Sequence, residues 1–344
     1  MAVSRLASWG FNTLGNWSNE EIGRQNKFPY VASVGAWGNF AKVPSGNDYW
    51  GKMPDPFDPQ FAQAADASLR SKAEQVKDDP ACLGYFFDNE LSWGDGDNDA
   101  HHYGLSYGAL SLGSQSPAKR AFVAYLQNRY IAIEKLNAAW GSSIGSWDEL
   151  GAPFQAPSPL KTDAQRSDFS AYLGIFAEKY FSVVSSAIKR YDPHHMYLGC
   201  RFAWFTPEAV AASAKYVDVI SFNIYNWQEN KYQFAQSLGK PLIVGEFHFG
   251  ALDRGMFSGG LGPVKSQQER GASYSEYVKS VLSEPAFVGV HWFQYVDEPT
   301  TGRSGDGENY NIGFVSIADT PYPELIGAAR RTNSEVYAIH EAKH

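Results

Sequence analysis

Apolar and β-branched residues gather in short runs at 11–17, 30–37, 83–87, 196–202, 217–225, 241–247 and 287–295. Each has the length of a strand, and most are separated by stretches of helical period, which predicts a parallel sheet. Several runs are apolar at nearly every position, as in VDVISFNIY and LIVGEF. That pattern is expected of strands covered on both faces.

Two of the intervening helices are well marked. Ser116 before Pro117 is an N-cap and first-turn signal, and Phe122, Leu126, Tyr130, Ile133 and Leu136 follow at helical spacing as far as Gly141, predicting one helix over 117–140. Phe169, Tyr172, Leu173, Phe176, Tyr180, Val183, Val184, Ala187 and Ile188 form a second stripe that stops before Asp192-Pro193, where the residue preceding proline disfavours helix. Shorter helical patterns follow Asp58-Pro59 and precede Glu284-Pro285.

No repeat, low-complexity tract or Pro/Ser-rich linker divides the chain, so residues 1–344 are expected to form one domain. Alternating strands and helices at this length predict an α/β fold of the (β/α)8 TIM-barrel type. Seven strand runs are visible where such a barrel has eight. Either one strand escapes the pattern or the usual first strand is missing, and the helix-like SRLASWG passing straight into FNTLGNW favours a truncated or unusually completed barrel.

Composition narrows the function. The chain has a net charge of -8, which argues against nucleic acid, whose binders cluster Lys and Arg against phosphates. Aromatic residues make up 15% of the sequence, with 10 Trp and 20 Tyr, and aromatic faces suit the C–H faces of sugar rings as well as protein cores. Cys82 and Cys200 sit in apolar runs and read as core thiols. No apolar run approaches the ~18 residues of a membrane span and no signal peptide is evident, so no membrane partner is expected and the compartment stays open.

The chemistry concentrates at two strand ends. Glu90 closes the strand in GYFFDNE and Glu246 closes the one in PLIVGEF. Glycoside hydrolysis needs one carboxylic acid to protonate the leaving oxygen and one carboxylate facing the anomeric carbon. A lone glutamate at a strand end is more often merely solvated, but two in equivalent positions, with Asn89 before one and His248 after the other, suit a sugar site. The loops after Glu90, Glu246 and Tyr295 are long and rich in Gly, Asp, His and aromatics, as expected for the active face of a barrel. The tract from Asp95 to Asp99 with His101 and His102 offers oxygen and imidazole donors but lacks EF-hand spacing. It reads as a solvated acidic loop, and no metal or other cofactor is expected; the glycine-rich GMFSGGLGP carries no nucleotide fingerprint.

The Asn89-Glu90 pair with Glu246 resembles the large clan of barrel glycosidases that place catalytic glutamates after strands 4 and 7. More specifically, LASWGFNTLGNWS, FDNELSWG, KLNAAWG, SFNIYNW, GEFHFG, GVHWFQYVDEPTTGR, DGENYNIGFVSI and DTPYPEL resemble the β-agarases of glycoside hydrolase family 50 over essentially the whole chain. The resemblance implies a retaining hydrolase of agarose-like, β-linked galactose polymers or oligomers, with Glu90 as acid/base and Glu246 as nucleophile. It also implies a secreted or periplasmic setting, and a longer family architecture whose N-terminal β-rich domain is not expected in this chain.

Within that reading Tyr225 should donate to Glu246, and Asn89 should bond the hydroxyl beside the anomeric centre. Trp292 should lie under the sugar, and Trp37 should stack at a neighbouring subsite; each could instead be core. His248 is a candidate for substrate contact or for a structural role, and Arg201, Asn223, Asp297, Glu308 and Asn309 are candidates for hydroxyl recognition. The competing functions are another β-glycosidase of the clan such as a β-galactosidase, and a carbohydrate-binding barrel without turnover.

Overall fold

The computed structural model describes residues 1–96 and 98–342. Eight strand segments occur among them: β1 (Tyr30–Val34), β2 (Lys42–Val43), β3 (Met53–Pro54), β4 (Cys82–Phe87), β5 (Met196–Tyr197), β6 (Ile220–Asn223), β7 (Leu242–Phe247) and β8 (Phe287–Trp292). They form sheets in the orders β1-β4-β5 and β6-β7-β8, with β2 and β3 as a small antiparallel pair. Strands β7 and β8 are parallel, pairing Leu242 with Phe287 and Phe247 with Trp292. The chain gathers into two compact units: one of residues 1–32, 79–84 and 221 onward, the other of residues 33–78 and 85–220. Strands alternating with helices make an α/β fold.

In the first unit, aromatic side chains from β7, β8 and the helix Gln267–Leu282 meet. Phe247 stacks on Tyr277 at 4.2 Å, and Trp292 lies 5.3 Å from Phe314. Arg270 is buried beneath them, donating to the carbonyls of Phe249 and Gly313 and to Oε1 of Gln267. Burial lowers it to about 10, while its donors stay hydrogen-bonded as a buried cation requires.

The 29-residue helix Asp163–Tyr191 anchors the second unit. Thr162 and Gln165 form a reciprocal capping box at its start, satisfying two of the otherwise orphaned N–H groups. Its apolar stripe meets Phe122, which stacks on Tyr172 at 4.1 Å, and Trp93, which stacks on Phe181 at 5.5 Å. Both cysteines are buried and neither forms a disulfide.

Three expectations change. The helix expected over 117–140 is two, Pro117–Tyr130 and Ile133–Trp140, broken where Ile131 takes φ +64. Beyond the break the Trp140 indole joins the Tyr125 and Tyr130 hydroxyls on Asp168, a buried carboxylate whose oxygens need donors. The run 11–17 is not a strand; only Leu14 pairs, in a parallel bridge to Tyr30. The run 196–202 is strand only at its start because Gly199 and Arg201 take φ +84 and +58, although Leu198 N–H still reaches Tyr85 O and Phe87 N–H reaches Gly199 O. The pair β2–β3 has no hydrophobic run to announce it.

Candidate active site

The strand β7 delivers Glu246 as its next-to-last residue, buried at the sheet's carboxyl end. Tyr225, two residues beyond β6, donates its hydroxyl to Oε2 at 2.5 Å, and Trp17 donates Nε1–H to Oε1 at 2.8 Å. Backbone fixes the same junction, since Ile224 N–H bonds the Glu246 carbonyl at 2.9 Å. Each side-chain oxygen thus meets a donor that suits an ionised carboxylate.

A cavity of about 290 Å³ opens beside this carboxylate, lined among others by Asn16, Trp17, Glu246, His291, Trp292 and Gln294. Trp292 holds its indole N–H on the Ile312 carbonyl at 2.8 Å and packs edge-on against Phe247, so its ring is fixed in the cavity wall. Asn16 has both amide atoms buried without a hydrogen-bond partner among the described residues. Such a group calls for a water or a ligand hydroxyl.

His248, two residues after Glu246, is buried. Its Nδ1 lies 3.0 Å from the Phe293 carbonyl and its Nε2 accepts Leu261 N–H at 2.9 Å, which assigns a neutral ring protonated on Nδ1. Burial lowers its pKa to about 3. A side chain on Gly260, at φ +69, would come within 2.4 Å of His248 Nε2, so glycine permits the loop to wrap the imidazole. Asp297 is likewise committed inside its loop, accepting from Asn311 Nδ2, the Tyr322 hydroxyl and Gly313 N–H. Glu308 pairs with Arg303 at 2.8 Å, and Asn309 is half-buried beside it. Asn223 is buried at the end of β6.

In the second unit β4 runs into Asp88-Asn89-Glu90, and the backbone turns sharply: Asp88 has φ +59 and Glu90 φ +50. Arg201 alongside has φ +58. Left-handed non-glycine residues in one place are costly and gather where function over-determines geometry. Asp88 accepts the Tyr180 hydroxyl at 2.6 Å and Ala36 N–H at 3.2 Å, while loss of solvent pushes its carboxyl up to about 6. Arg201, fully buried over the Phe86 ring, donates Nε–H to Asn89 Oδ1 at 2.7 Å and accepts Glu90 N–H on its carbonyl at 3.3 Å. Glu90 is buried, and its Oε2 accepts Trp50 Nε1–H at 2.9 Å.

Residues 55–243 match the model of the β-galactosidase family of glycoside hydrolases. The chain belongs to that family. Glycosidase membership accords with the two buried carboxyls, each at the end of a strand. Over its full length the chain is 45% identical to β-agarase B of Vibrio sp. (strain JT0107), of which it covers 36%. Among solved structures it resembles an exo-β-agarase at TM-score 0.95 and 43% identity, covering 98% of this chain and 46% of that one. A second agarase gives TM-score 0.93 and 44% identity over 98% of this chain and 49% of the other. The chain thus spans less than half the length of these relatives and is a β-agarase homologue of the glycosidase family.

Against this family background, the placement of the expected site residues is uneven. Tyr225, Glu246, Trp292 and His248 converge in the first unit, and Asn89, Glu90 and Arg201 in the second. Trp37 stands 83% exposed after β1. Around the acidic tract, Asp99 turns to Leu160 N–H, His102 to Glu208, and His101 lies near Asp95 and Asn98; Asp97 lies outside the described residues. No cluster of potential metal ligands occurs among the described residues, nor is any helix there long and apolar enough to cross a membrane. Sequence reasoning missed Trp17, Trp50 and Asn16. Asn16 and Trp17 lay in a run read as a strand and Trp50 in a polar loop, and the carboxylates that Trp17 and Trp50 reach lie 229 and 40 positions along the chain.

Proposed function

We propose that this chain is a (β/α)8-barrel catalytic domain of a retaining glycoside hydrolase that cleaves β-linked galactose polysaccharides or oligosaccharides of the agarose type. The observation that carries the reading is Glu246: a buried carboxylate at a strand end, each oxygen met by a donor, facing a cavity walled by tryptophan. The agarase likeness over nearly the whole chain supports the substrate class and the barrel.

In this mechanism Glu90 gives its proton to the glycosidic oxygen as that bond breaks, and Glu246 attacks the anomeric carbon to form a glycosyl ester. Water then gives a proton to Glu90 and attacks the same carbon, which releases Glu246 as carboxylate and leaves Glu90 protonated again. Tyr225 holds the nucleophile without competing for the sugar carbon. Because Arg201 takes Asn89 Oδ1, the amide nitrogen of Asn89 is the end offered to the hydroxyl beside the anomeric centre, an interaction that strengthens toward the transition state. Trp292 lies under the sugar and Trp37 forms an outer stacking surface, with Asn223 and Asn309 as hydroxyl contacts. Arg201, His248, Asp297 and Glu308 shape the loops.

The match to the β-galactosidase family supports a second reading, a β-galactosidase acting on short substrates. Incubation of the chain and its Glu246→Gln and Glu90→Gln variants with agarose and with a β-galactoside panel, followed by product chromatography, tests both. Agarose-derived oligosaccharides from the parent alone are expected. Release only from short β-galactosides would favour the second reading, and equal activity in parent and Glu246→Gln would overturn the carboxylate roles.

A further inference from the structure

Each of the two carboxyls accepts a hydrogen bond from an indole that is itself largely in water. Trp17 is 56% exposed and reaches Oε1 of Glu246, and Trp50 is 65% exposed and reaches Oε2 of Glu90. Burial does not explain two such aromatics, because most of their apolar area remains solvated. The backbone of Trp17 has φ +66, a conformation that a bulky residue keeps only when surrounding contacts impose it. Trp50 belongs to a loop tied to the segment that carries its carboxyl: Ser92, two residues after Glu90, donates Oγ–H to the Gly51 carbonyl at 2.9 Å. Within that loop, Ser45 N–H bonds Asp48 Oδ1 at 2.7 Å.

We propose that Trp17 and Trp50 are positioning residues, each fixing through its indole N–H which oxygen of its glutamate is presented to the sugar. The inference rests on the roles given above to Glu246 and Glu90. An indole N–H donates and never accepts. On Glu246, Trp17 and Tyr225 hold the two oxygens from separate elements and so set the plane of the attacking carboxylate. On Glu90, the oxygen that accepts from Trp50 is the poorer carrier of the acid proton, which directs that proton to Oε1. The same bond stabilises the carboxylate left once the proton has gone to the glycosidic oxygen. Stacking on sugar would appear mainly in KM, whereas positioning acts on kcat and on the ionisation of the glutamate concerned.

The test replaces each tryptophan singly with 3-benzothienylalanine, which keeps the bicyclic ring and lacks the N–H, and in parallel with Phe. kcat, KM and pH–rate profiles are measured on an agarose oligosaccharide. About a 10- to 100-fold fall in kcat with KM within about threefold is expected from loss of a charge-assisted bond. Removing a donor from a carboxylate raises its pKa, so the Trp17 variant should move the acid limb to higher pH and the Trp50 variant the basic limb. A rise in KM with kcat and both limbs unchanged would show stacking surfaces and overturn the proposal, as would no change at all. Movement of one limb alone keeps that tryptophan's assignment and removes the other's. Failure of the underlying reading is separate, since it would show as retained hydrolysis in Glu246→Gln or Glu90→Gln.

Discussion

The hydroxyl of Tyr225 donates to Oε2 of Glu246 at 2.5 Å, joining the residue that follows β6 to the end of β7. A bond this short to a carboxylate is of the charge-assisted kind, roughly twice as strong as one between neutral groups. Tyr225→Phe keeps the ring and deletes the donor, so kcat should fall about 10- to 100-fold with little change in KM. Steady-state kinetics on agarose oligosaccharides checks this.

Arg201 acts on Asn89 by holding its Oδ1. Lysine cannot reproduce the planar guanidinium, so Arg201→Lys should release the amide and lower kcat/KM by about tenfold. Asn89→Ala should cost more. Because both changes remove one interaction, the double variant should be no worse than Asn89→Ala, and a double-mutant cycle reads that coupling directly.

His248 links stability to pH. Burial lowers its pKa from 6.5 to about 3, so between those values the unfolded chain binds a proton that the folded chain refuses. Its contribution is present above pH 6.5 and is lost as pH falls toward 3, at a limiting slope of about 1.4 kcal/mol per pH unit. Urea melts of the parent and of His248→Gln at pH 7, 5.5 and 4.5 should show a shallower acid loss in the variant, whatever its stability at neutral pH. Equal slopes would contradict this assignment.

Ile131 sits at φ +64 and ψ -53 with its side chain 73% exposed. A β-branched residue is strained there and glycine is not. Ile131→Gly should therefore stabilise the chain by about 1 kcal/mol, seen as a rise in Tm of about 1–2 °C. A fall in Tm would mean that the exposed side chain contributes more than the strain costs.

The strand runs and the long helix were legible because their information is local. A continuous apolar run such as LIVGEF has one use in a parallel sheet, and the stripe from Phe169 to Ile188 has one use on a helix. Glu90 and Glu246 were legible for the same reason: each stands next to a strand whose end the sequence marks. The run 11–17 and the second half of 196–202 misled because apolar content does not report φ, and Gly199 and Arg201 turn the chain where composition predicts extension.

Sequence by itself determined the α/β pattern and the candidate carboxyls, since these follow from periodicity and from residue types at strand ends, and its running motifs carried the family resemblance. Tertiary structure alone decided which groups touch those carboxyls. The Trp17–Glu246 bond spans 229 positions and the Tyr225–Glu246 bond 21, and His248, adjacent in sequence to the strand carrying the proposed nucleophile, is turned instead to a carbonyl and a loop N–H. Hydrogen bonds depend on direction and on distances of tenths of an ångström, and only the folded backbone supplies both.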